Sequence, residues 1–174
     1  MSDLDWGPVA KTDMDRFLST FFYLPEVFYI DGITTADSEA GIIEATFDTT
    51  RHLPYASTQR TSEGHPAHVA APEILMATGS LGCLHAYLFH GCRWDEGWAG
   101  FGNRIHRADF KALAHIGPPI ELHSEESRRR VGPKRVMLRL SFKFHQEGRL
   151  IYRGDQSAIF VKEHRDFPVA GDST

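Results

Sequence analysis

The sequence predicts an α+β fold in which an antiparallel sheet wraps around one long central helix. Residues 72–89 carry apolar or small side chains on nearly every side of a helix, and a helix of that kind is buried. Residues 135–145 alternate strictly between apolar and polar, which is typical of a strand covered on one face only. A strand hairpin before the helix and about four strands after it complete an α+β arrangement, and strands wrapped around the helix would bury it.

Length and composition indicate one globular domain spanning residues 1–174, with 41% hydrophobic and 24% charged residues. The formal net charge of −4 gives no support for nucleic-acid binding, and no stretch approaches the roughly 20 apolar residues of a membrane span. The N-terminus lacks a signal-peptide core and two cysteines are too few for a disulfide framework, so we expect a cytoplasmic protein. No zinc-ligand pairing is visible, and we predict neither a metal nor a separate cofactor.

The segments before the central helix carry one helical and two strand patterns. Thr12 or Asp13 is a suitable N-cap for the first helix, and Pro25 terminates it. Alternating apolar positions at Ile43, Ala45 and Phe47 indicate one covered face of a strand. The predicted elements here are an N-terminal helical extension at 1–25, its helix at 13–24, and strands at 27–35 and 42–48 joined by a turn at 36–41.

The segments after the central helix carry the longest strand patterns. In the strongest of them, the residues predicted to face inward are Val136, Leu138, Leu140, Phe142 and Phe144. A hairpin turn is expected at 146–148, and Gly154 is expected to form a bulge. The predicted strands are Trp98–Phe110, 120–129, 135–145 and Arg149–Lys162, and a polar tail follows at 163–174.

The start of the central helix follows a long loop, residues 49–68, which is rich in Ser, Thr, Gly and Pro. Loops of this length inside compact domains are usually functional or mobile. Pro72 suits the first turn of a helix, and the charge of Glu73 complements the helix dipole there. Gly79 and Gly82 each cost roughly 1 kcal/mol inside a helix, which predicts the close approach of another backbone.

Two stretches resemble the hotdog superfamily, in which the sheet wraps around the helix. The first is a His-containing loop that runs into the helix, Ala67-His68-Val69-Ala70-Ala71-Pro72-Glu73-Ile74-Leu75. The second is similar to the strand-turn-strand of hotdog enzymes, where a Phe precedes a Pro-Gly turn: Arg107-Ala108-Asp109-Phe110-Lys111, then Ile116-Gly117-Pro118-Pro119-Ile120-Glu121-Leu122. With the strand order, the resemblance extends over residues 42–162 and implies a hotdog fold.

The resemblance is closest to two hotdog families. In the long-chain fatty-acyl-CoA thioesterases, the pre-helix motif places its His on His68 and its Glu on Glu73, while its Asn positions fall on Ala70 and Gly79. The substrate-facing Tyr of that family corresponds to Tyr55 across a gap. The resemblance therefore implies a site at the junction between loop and helix.

The second family is the β-hydroxyacyl-carrier-protein dehydratases. It has a His in the pre-helix loop, for which His65 or His68 would stand, and an acidic residue inside the helix. That acidic position falls near Thr78, which cannot supply the acid chemistry. The resemblance to this family implies a dehydratase as the alternative activity.

Four residues are candidates for catalysis, each with a structural alternative. His68 would help to hold an oxyanion together with the N–H groups of the helix start, or it is a solvated loop histidine. Glu73 would activate water, or it complements the helix dipole. His65 competes with His68, and Tyr55 would donate a hydrogen bond to the substrate carbonyl or cover an edge of the core.

Five residues are candidates for substrate binding. Asn103 and His106, on the strand next to the helix, would line a substrate tunnel or face water. Arg104 and Arg107 belong to a basic cluster that would hold the phosphates of coenzyme A or phosphopantetheine, although a charge run is more often a solvated face. Thr78, on the helix, would contact the substrate or pack within the core.

The function that these features favour is hydrolysis of an acyl thioester, carried by coenzyme A or by acyl-carrier protein. A β-hydroxyacyl thioester dehydratase is the enzymatic alternative, and a non-catalytic acyl-binding hotdog subunit is the alternative of another class. Coenzyme A or phosphopantetheine would arrive as part of the substrate. Trp98–Phe110 is the expected pairing strand of a homodimer, because an unpaired strand edge invites aggregation.

Overall fold

The computed structural model describes residues 5–162 of the chain. The predicted tail at 163–174 lies outside this part. The order of elements is the predicted one, a strand hairpin, a long helix and then long strands, so the α+β class is confirmed. The elements are α1 (Lys11–Thr20), β1 (Gly32–Asp37), β2 (Ile42–Phe47), β3 (His68–Val69), α2 (Ala71–His90), β4 (Trp98–Phe110), β5 (Ala114–His115), β6 (Ile120–Val131), β7 (Arg135–Gln146) and β8 (Arg149–Lys162).

One antiparallel sheet of six strands wraps around α2, in the order β1-β2-β6-β7-β8-β4. The helix contacts β2, β4, β6, β7 and β8 on the inner face of the sheet. β3 and β5 form a separate short pair next to the start of α2. The predicted arrangement of a sheet around one long central helix is therefore confirmed.

The inner face of β7 is the one that alternation predicted. Its five apolar residues, Val136, Leu138, Leu140, Phe142 and Phe144, are each at most 2% exposed. The hairpin from β7 to β8 turns at Glu147 and Gly148, whose φ angles are +50° and +74°. Positive φ at both central positions is the geometry whose twist matches that of paired strands.

The predicted bulge at Gly154 is wrong. Gly154 pairs in register with Phe142, and the register between β7 and β8 shifts between Phe144 and His145 instead. A Cβ at position 154 would lie 2.4 Å from the hydroxyl oxygen of Tyr152. Glycine is therefore required there because the buried Tyr152 ring occupies the space.

α2 extends one residue beyond the predicted range at each end, and Gly91 in the left-handed conformation (φ +64°) ends it. The predicted reason for its glycines is wrong, because no backbone of another element lies within 4 Å of a Cβ built at either position. At Gly82 that Cβ would lie 3.4 Å from the side chain of Leu140, so this glycine lets the helix approach β7. Gly79 faces open space.

The N-terminal elements are shifted from their predicted places. α1 starts at Lys11 with no side-chain cap, so the predicted caps Thr12 and Asp13 lie inside the helix, and it ends at Thr20 rather than at 24. Pro25–Val27 forms a short 3-10 helix, which delays β1 to Gly32–Asp37. The segment between α1 and this turn is consequently not helical, and its residues Phe21, Phe22 and Tyr23 line a cavity together with residues of α2 and β8.

No helix among residues 5–162 is both long and apolar enough to cross a membrane. Cys83 and Cys92 are both free thiols. Burial raises the pKa of each to about 12, so both stay protonated near neutral pH.

Candidate functional site

The carboxylate of Glu73 is completely buried at the start of α2 and is held by three backbone N–H groups. Its Oε1 accepts from Tyr55 at 2.9 Å and from Ala56 at 3.0 Å, and its Oε2 accepts from Ala70 at 2.7 Å. Ala70, the N-cap residue, has no side-chain acceptor, so only the half of a capping box that Glu73 supplies, acceptance of the Ala70 N–H, is present. These bonds fasten the long loop to the helix and engage both oxygens of the carboxylate.

One backbone N–H at the start of α2 has no acceptor within the described chain, and it belongs to Ala71. Pro72 carries no N–H, and those of Glu73 and Ile74 donate to the carbonyl of Ala70 at 3.1 and 3.3 Å. Ala71 is exposed and lines a cavity. A free N–H at the positive end of a helix is a suitable donor for an anionic oxygen.

His68 lies on β3, three residues before Ala71, and the loop fixes its position. Its N–H donates to Gln59 Oε1 at 3.1 Å, and its carbonyl accepts from Gln59 Nε2 at 2.9 Å. Its ring Nδ1 lies 3.2 Å from the carbonyl oxygen of Pro66, an acceptor, so Nδ1 carries the proton. When the ring is neutral, Nε2 then carries the lone pair. A general base requires this form of the ring.

His65 and Tyr55, the other two catalytic candidates, lie on the surface. His65 forms a small bridge with Ser62, and its ring packs edge-on against that of His68 with centroids 5.3 Å apart. The side chain of Tyr55 is 54% exposed, and this residue contributes its backbone N–H to Glu73. Neither residue lines the cavity that His68 and Ala71 share.

That cavity, called here the junction cavity, has a volume of about 180 Å³. It lies between the start of α2, β5 and the paired ends of β4 and β8, where Phe110 opposes Tyr152. Its walls are apolar except for His68 and the Tyr152 hydroxyl. The lining residues are His68, Val69, Ala71, Ile74, Phe110, Ala112, Leu113, Ala114, Ile151 and Tyr152.

A chain of three polar side chains leads from the junction cavity along the inner face of the sheet. The amide of Gln156 donates through Nε2 to the Tyr152 hydroxyl at 3.2 Å, and its Oε1 accepts from Thr78 Oγ1 at 3.1 Å. The Thr78 hydroxyl also lies 2.7 Å from the carbonyl of Leu75. Thr78 is thus a buried residue between helix and sheet, and Gln156 and Tyr152 are candidate site residues that no sequence pattern indicated.

A second apolar cavity, called here the aromatic cavity, follows along the middle of α2 and has a volume of about 150 Å³. Thr78 and Gln156 stand at its polar side. Its remaining walls come from the helix, from β4, β7 and β8, and from the segment after α1. They include Phe21, Phe22, Tyr23, Cys83, Phe101 and Phe160.

The other substrate-binding candidates lie apart from both cavities. Asn103 and His106 border a groove on the outer face of the sheet, and His106 Nε2 lies 2.6 Å from Ser157 Oγ. Arg107 is paired with Asp109, to which Lys111 is also bound at 3.3 Å. Arg104 is exposed on the free edge strand β4.

The groove on the outer face, called here the basic groove, is lined by three consecutive arginines of β6: Arg128, Arg129 and Arg130. Arg139 also borders it and is bound bidentately to Asp155, with both contacts at 2.7 Å. Arg129 lies 3.6 Å from Glu126, whereas Arg128 and Arg130 make no ion pair with any residue from 5 to 162. The groove therefore presents unpaired guanidinium groups to solvent.

A buried cluster at the other end of α2 has the order of a hydrolase triad but no access to solvent. His85 Nε2 lies 2.9 Å from Ser124 Oγ, and its Nδ1 lies 3.2 Å from Glu126 Oε1, which also binds His90 at 2.8 Å. Ser124 and His85 are both 0% exposed. A nucleophile in that position cannot meet a substrate, so the cluster belongs to the core. No group of metal-ligating side chains lies within residues 5–162.

No protein-family model matches this sequence, and no curated protein matches it. Solved structures do match over most of the chain. A mutant thioesterase from Pseudomonas aeruginosa aligns with 91% of this chain and 99% of its own at 12% identity and a TM-score of 0.57. A thioesterase from Haemophilus influenzae aligns with 92% of this chain and 98% of its own, at 14% identity and a TM-score of 0.54.

A third match is a hypothetical thioesterase from Streptococcus pneumoniae, solved with coenzyme A. It aligns with 75% of this chain and 85% of its own at 8% identity and a TM-score of 0.50. Identities this low show a shared fold rather than a shared activity. A fourth structure, of a hot-dog-like protein from Thermanaerovibrio acidaminovorans, matches at 20% identity and a TM-score of 0.51. The chain therefore has the hotdog fold that the sequence resemblance implied.

Proposed function

We propose that this protein hydrolyses acyl thioesters at the junction cavity. The observation that supports this proposal is the meeting of three features in one apolar cavity: the free N–H of Ala71, the imidazole of His68 and the hydroxyl of Tyr152. An apolar cavity with a few convergent polar groups is the usual form of a small-molecule site. Three structures that share the fold are thioesterases by name, which agrees with this assignment.

Two of these groups act in the reaction, His68 and the N–H of Ala71, while the Tyr152 hydroxyl borders the cavity. His68 Nε2 takes a proton from water as that water attacks the thioester carbon, and the N–H of Ala71 stabilises the negative charge that develops on the carbonyl oxygen. The carbon–sulfur bond then breaks, and the imidazolium returns the proton to the departing thiolate. The products are a carboxylic acid and a free thiol.

Glu73 has a positioning role in this scheme rather than the role of the base. Its oxygens already accept three backbone hydrogen bonds at 2.7 to 3.0 Å, so the carboxylate holds Ala70 and the loop in place. That arrangement fixes the direction of the next N–H, which is that of Ala71. The base is then His68, whose lone pair is free.

Coenzyme A is the carrier that the charge distribution favours. Arg128 and Arg130 leave unpaired guanidinium groups in the basic groove, and such groups bind phosphate strongly. The structure from S. pneumoniae was solved with coenzyme A, which agrees with this choice. The nucleotide end of the substrate would therefore lie on the outer face of the sheet, and the acyl group inside.

Hydrolysis is favoured over dehydration by the content of the cavities. Within residues 5–162, no carboxylate lines the junction cavity or the aromatic cavity. Thr78 occupies the helix position where the dehydratases carry their acid, and its hydroxyl bonds to Leu75 and Gln156. A non-catalytic acyl-binding subunit is the alternative function that does not involve catalysis. It is favoured by Glu73, whose carboxylate accepts three backbone N–H groups.

The test is release of free thiol from a panel of acyl-CoA and acyl-carrier-protein thioesters by the wild-type protein. We expect saturable turnover with acyl-CoA and weaker turnover with acyl-carrier protein. Formation of an enoyl thioester from a β-hydroxyacyl substrate, without thiol release, would make the protein a dehydratase. Saturable binding without either product would make it a binding subunit.

A further inference from the structure

The junction cavity and the aromatic cavity lie one after the other along the same side of α2. Residues that line them lie on β8 in sequence order, from Tyr152 at the first cavity to Phe160 at the second. β4 runs antiparallel beside β8, so Phe110 opposes Tyr152 and Gly100 opposes Phe160. The two cavities therefore lie in line from the start of the helix towards its middle, and this line is called here the acyl path.

The polar side chains at the waist of this path bind one another. Tyr152, Gln156 and Thr78 form a continuous hydrogen-bonded chain, with contacts at 3.2 and 3.1 Å. Burial raises the pKa of Tyr152, so its hydroxyl stays neutral. Polar groups that satisfy one another in this way can border an apolar chain without the cost of an unpaired buried group.

The far end of the path is closed by residues from outside the helix and the six-stranded sheet. Phe22 and Tyr23, in the non-helical segment after α1, line the aromatic cavity. Phe22 packs on Trp94 with ring centroids 4.6 Å apart. The segment reaches this place because α1 ends at Thr20, four residues before the predicted end of the helix.

An ion-pair cluster holds α1, which precedes the closing segment, against the short 3-10 helix Trp94–Glu96. Arg16 binds Asp95 through two nitrogens at 2.9 and 3.0 Å, and it binds Glu96 at 3.0 Å. Phe17, one residue further on, is completely buried. The side chains of Phe22 and Tyr23 are themselves 39% and 55% exposed, so they close the path from its outer side.

We propose that Phe22 and Tyr23 terminate the acyl path and set the longest acyl chain that the protein accepts. This inference rests on the proposed function, which puts the thioester carbonyl at Ala71. The helix rises about 18 Å from Ala71 to Cys83 at the far cavity, and an extended chain advances about 1.2 Å per bond. The path accordingly accepts an unbranched acyl group of up to about 15 carbons.

The experiment compares chain-length profiles of wild type, Phe22→Ala and Tyr23→Ala on saturated acyl-CoA esters from acetyl to eicosanoyl. Wild-type kcat/KM should fall at least tenfold between 14 and 18 carbons, and each variant should shift that limit upward by two carbons or more. Leu24→Ala is the matched control, because Leu24 is the next residue, is 74% exposed and lines neither cavity. Coincident profiles for all four proteins would overturn the inference and leave the proposed function intact.

Binding of non-hydrolysable acyl-CoA thioethers of graded length separates the two claims. If no thioester is cleaved but thioether affinity shows the same limit and the same shift, the path is real and the hydrolase assignment fails. Cys83→Phe, which places a ring in the aromatic cavity, should move the limit to shorter chains, with folding checked by circular dichroism. Absence of binding at every length would overturn both claims.

Discussion

The carboxylate of Glu73 ties the backbone of Tyr55 to the first turn of α2, because Oε1 accepts the N–H of Tyr55 at 2.9 Å. The same side chain accepts from Ala56 and Ala70, and it is 0% exposed. The carboxylate is buried and accepts three backbone hydrogen bonds, so its loss would leave buried N–H groups unsatisfied and would destabilise the fold. It positions the loop that carries His68 relative to the helix start that carries the free N–H of Ala71.

Glu73→Gln should destabilise the fold by about 1–3 kcal/mol, because the amide nitrogen leaves at least one buried backbone N–H without an acceptor. Urea denaturation followed by circular dichroism measures the change. Glu63→Gln, an exposed carboxylate in the same loop, is the control and should unfold like the wild type. Wild-type stability together with a large loss of turnover would instead make Glu73 the base.

The buried cluster around Glu126 should make the folded state less stable as pH falls into the acid range. Burial lowers the pKa of His85, whereas hydrogen bonds from His85 and His90 outweigh the effect of burial and lower the pKa of Glu126 to about 2. Both pKa values lie below those of the unfolded chain, so both groups stabilise the fold above the unfolded values. This stabilisation is lost as pH falls, first below 6.5 for His85 and then from 4.5 towards 2 for Glu126.

Urea midpoints of wild type and Glu126→Gln between pH 8 and pH 3 test this prediction. The difference in unfolding free energy between the two proteins should be on the order of 3 kcal/mol at pH 7 and should shrink below pH 4.5. Glu125→Gln, the exposed neighbour, controls for the loss of one negative charge. A difference that stays constant with pH would show that Glu126 is not held ionised by the two histidines.

The free edge of β4 should pair two copies of this chain into a homodimer. Within the described residues, β4 pairs with β8 alone. Its residues Ile105 and Phe110 are 55% and 48% exposed. A long edge strand with unpaired backbone groups and exposed apolar side chains is a template for pairing with another chain. Light scattering after size exclusion should give twice the chain mass for the wild type.

Ile105→Lys should shift that dimer towards monomer, because charge on an edge strand blocks pairing. Ile116→Lys is the control, since Ile116 is 43% exposed but lies outside β4. A monodisperse wild-type monomer at working concentration would refute the pairing role of β4. So would a dimer that both variants leave unchanged.

The double variant Arg128→Ala/Arg130→Ala should raise KM for acyl-CoA several-fold and leave kcat unchanged. The reason is that the basic groove would contact only the phosphates of coenzyme A and not the reacting thioester. The KM for the corresponding acyl-pantetheine, which lacks the nucleotide, should not change. Arg149→Ala is the control, because Arg149 is exposed at the start of β8 and does not line the basic groove. An equal rise in KM for both substrates would place the effect elsewhere than at the nucleotide.

The parts of the fold that could be predicted are those with a strong local pattern. The alternation in β7 and the all-round apolar character of α2 each specify burial directly, and both were confirmed. The ends of α1 could not be predicted, because Phe21 and Phe22 continue the helical stripe in sequence while packing against Trp94 and neighbouring rings in space. Tertiary contacts decided where that helix stops.

The candidate site was predictable only where it is local in sequence. The junction of loop and helix brings His68, Ala71 and Glu73 within six residues, and the resemblance pointed there. Tyr152 and Gln156 come from a strand about eighty residues away, and nothing in their local pattern distinguishes them from ordinary strand residues. The three acceptor contacts of Glu73 likewise depend on where the loop folds back, which no local pattern contains.

The most direct test of the proposed site is a comparison of His68→Ala with His65→Ala on the best acyl-CoA substrate, with folding checked by circular dichroism. Loss of a general base typically costs about a hundredfold or more, so kcat of His68→Ala should fall by that factor while its KM changes little. His65→Ala should keep kcat within about threefold of wild type, because His65 touches the ring of His68 but does not line the junction cavity. Wild-type kcat in His68→Ala would contradict a site at the junction of loop and helix.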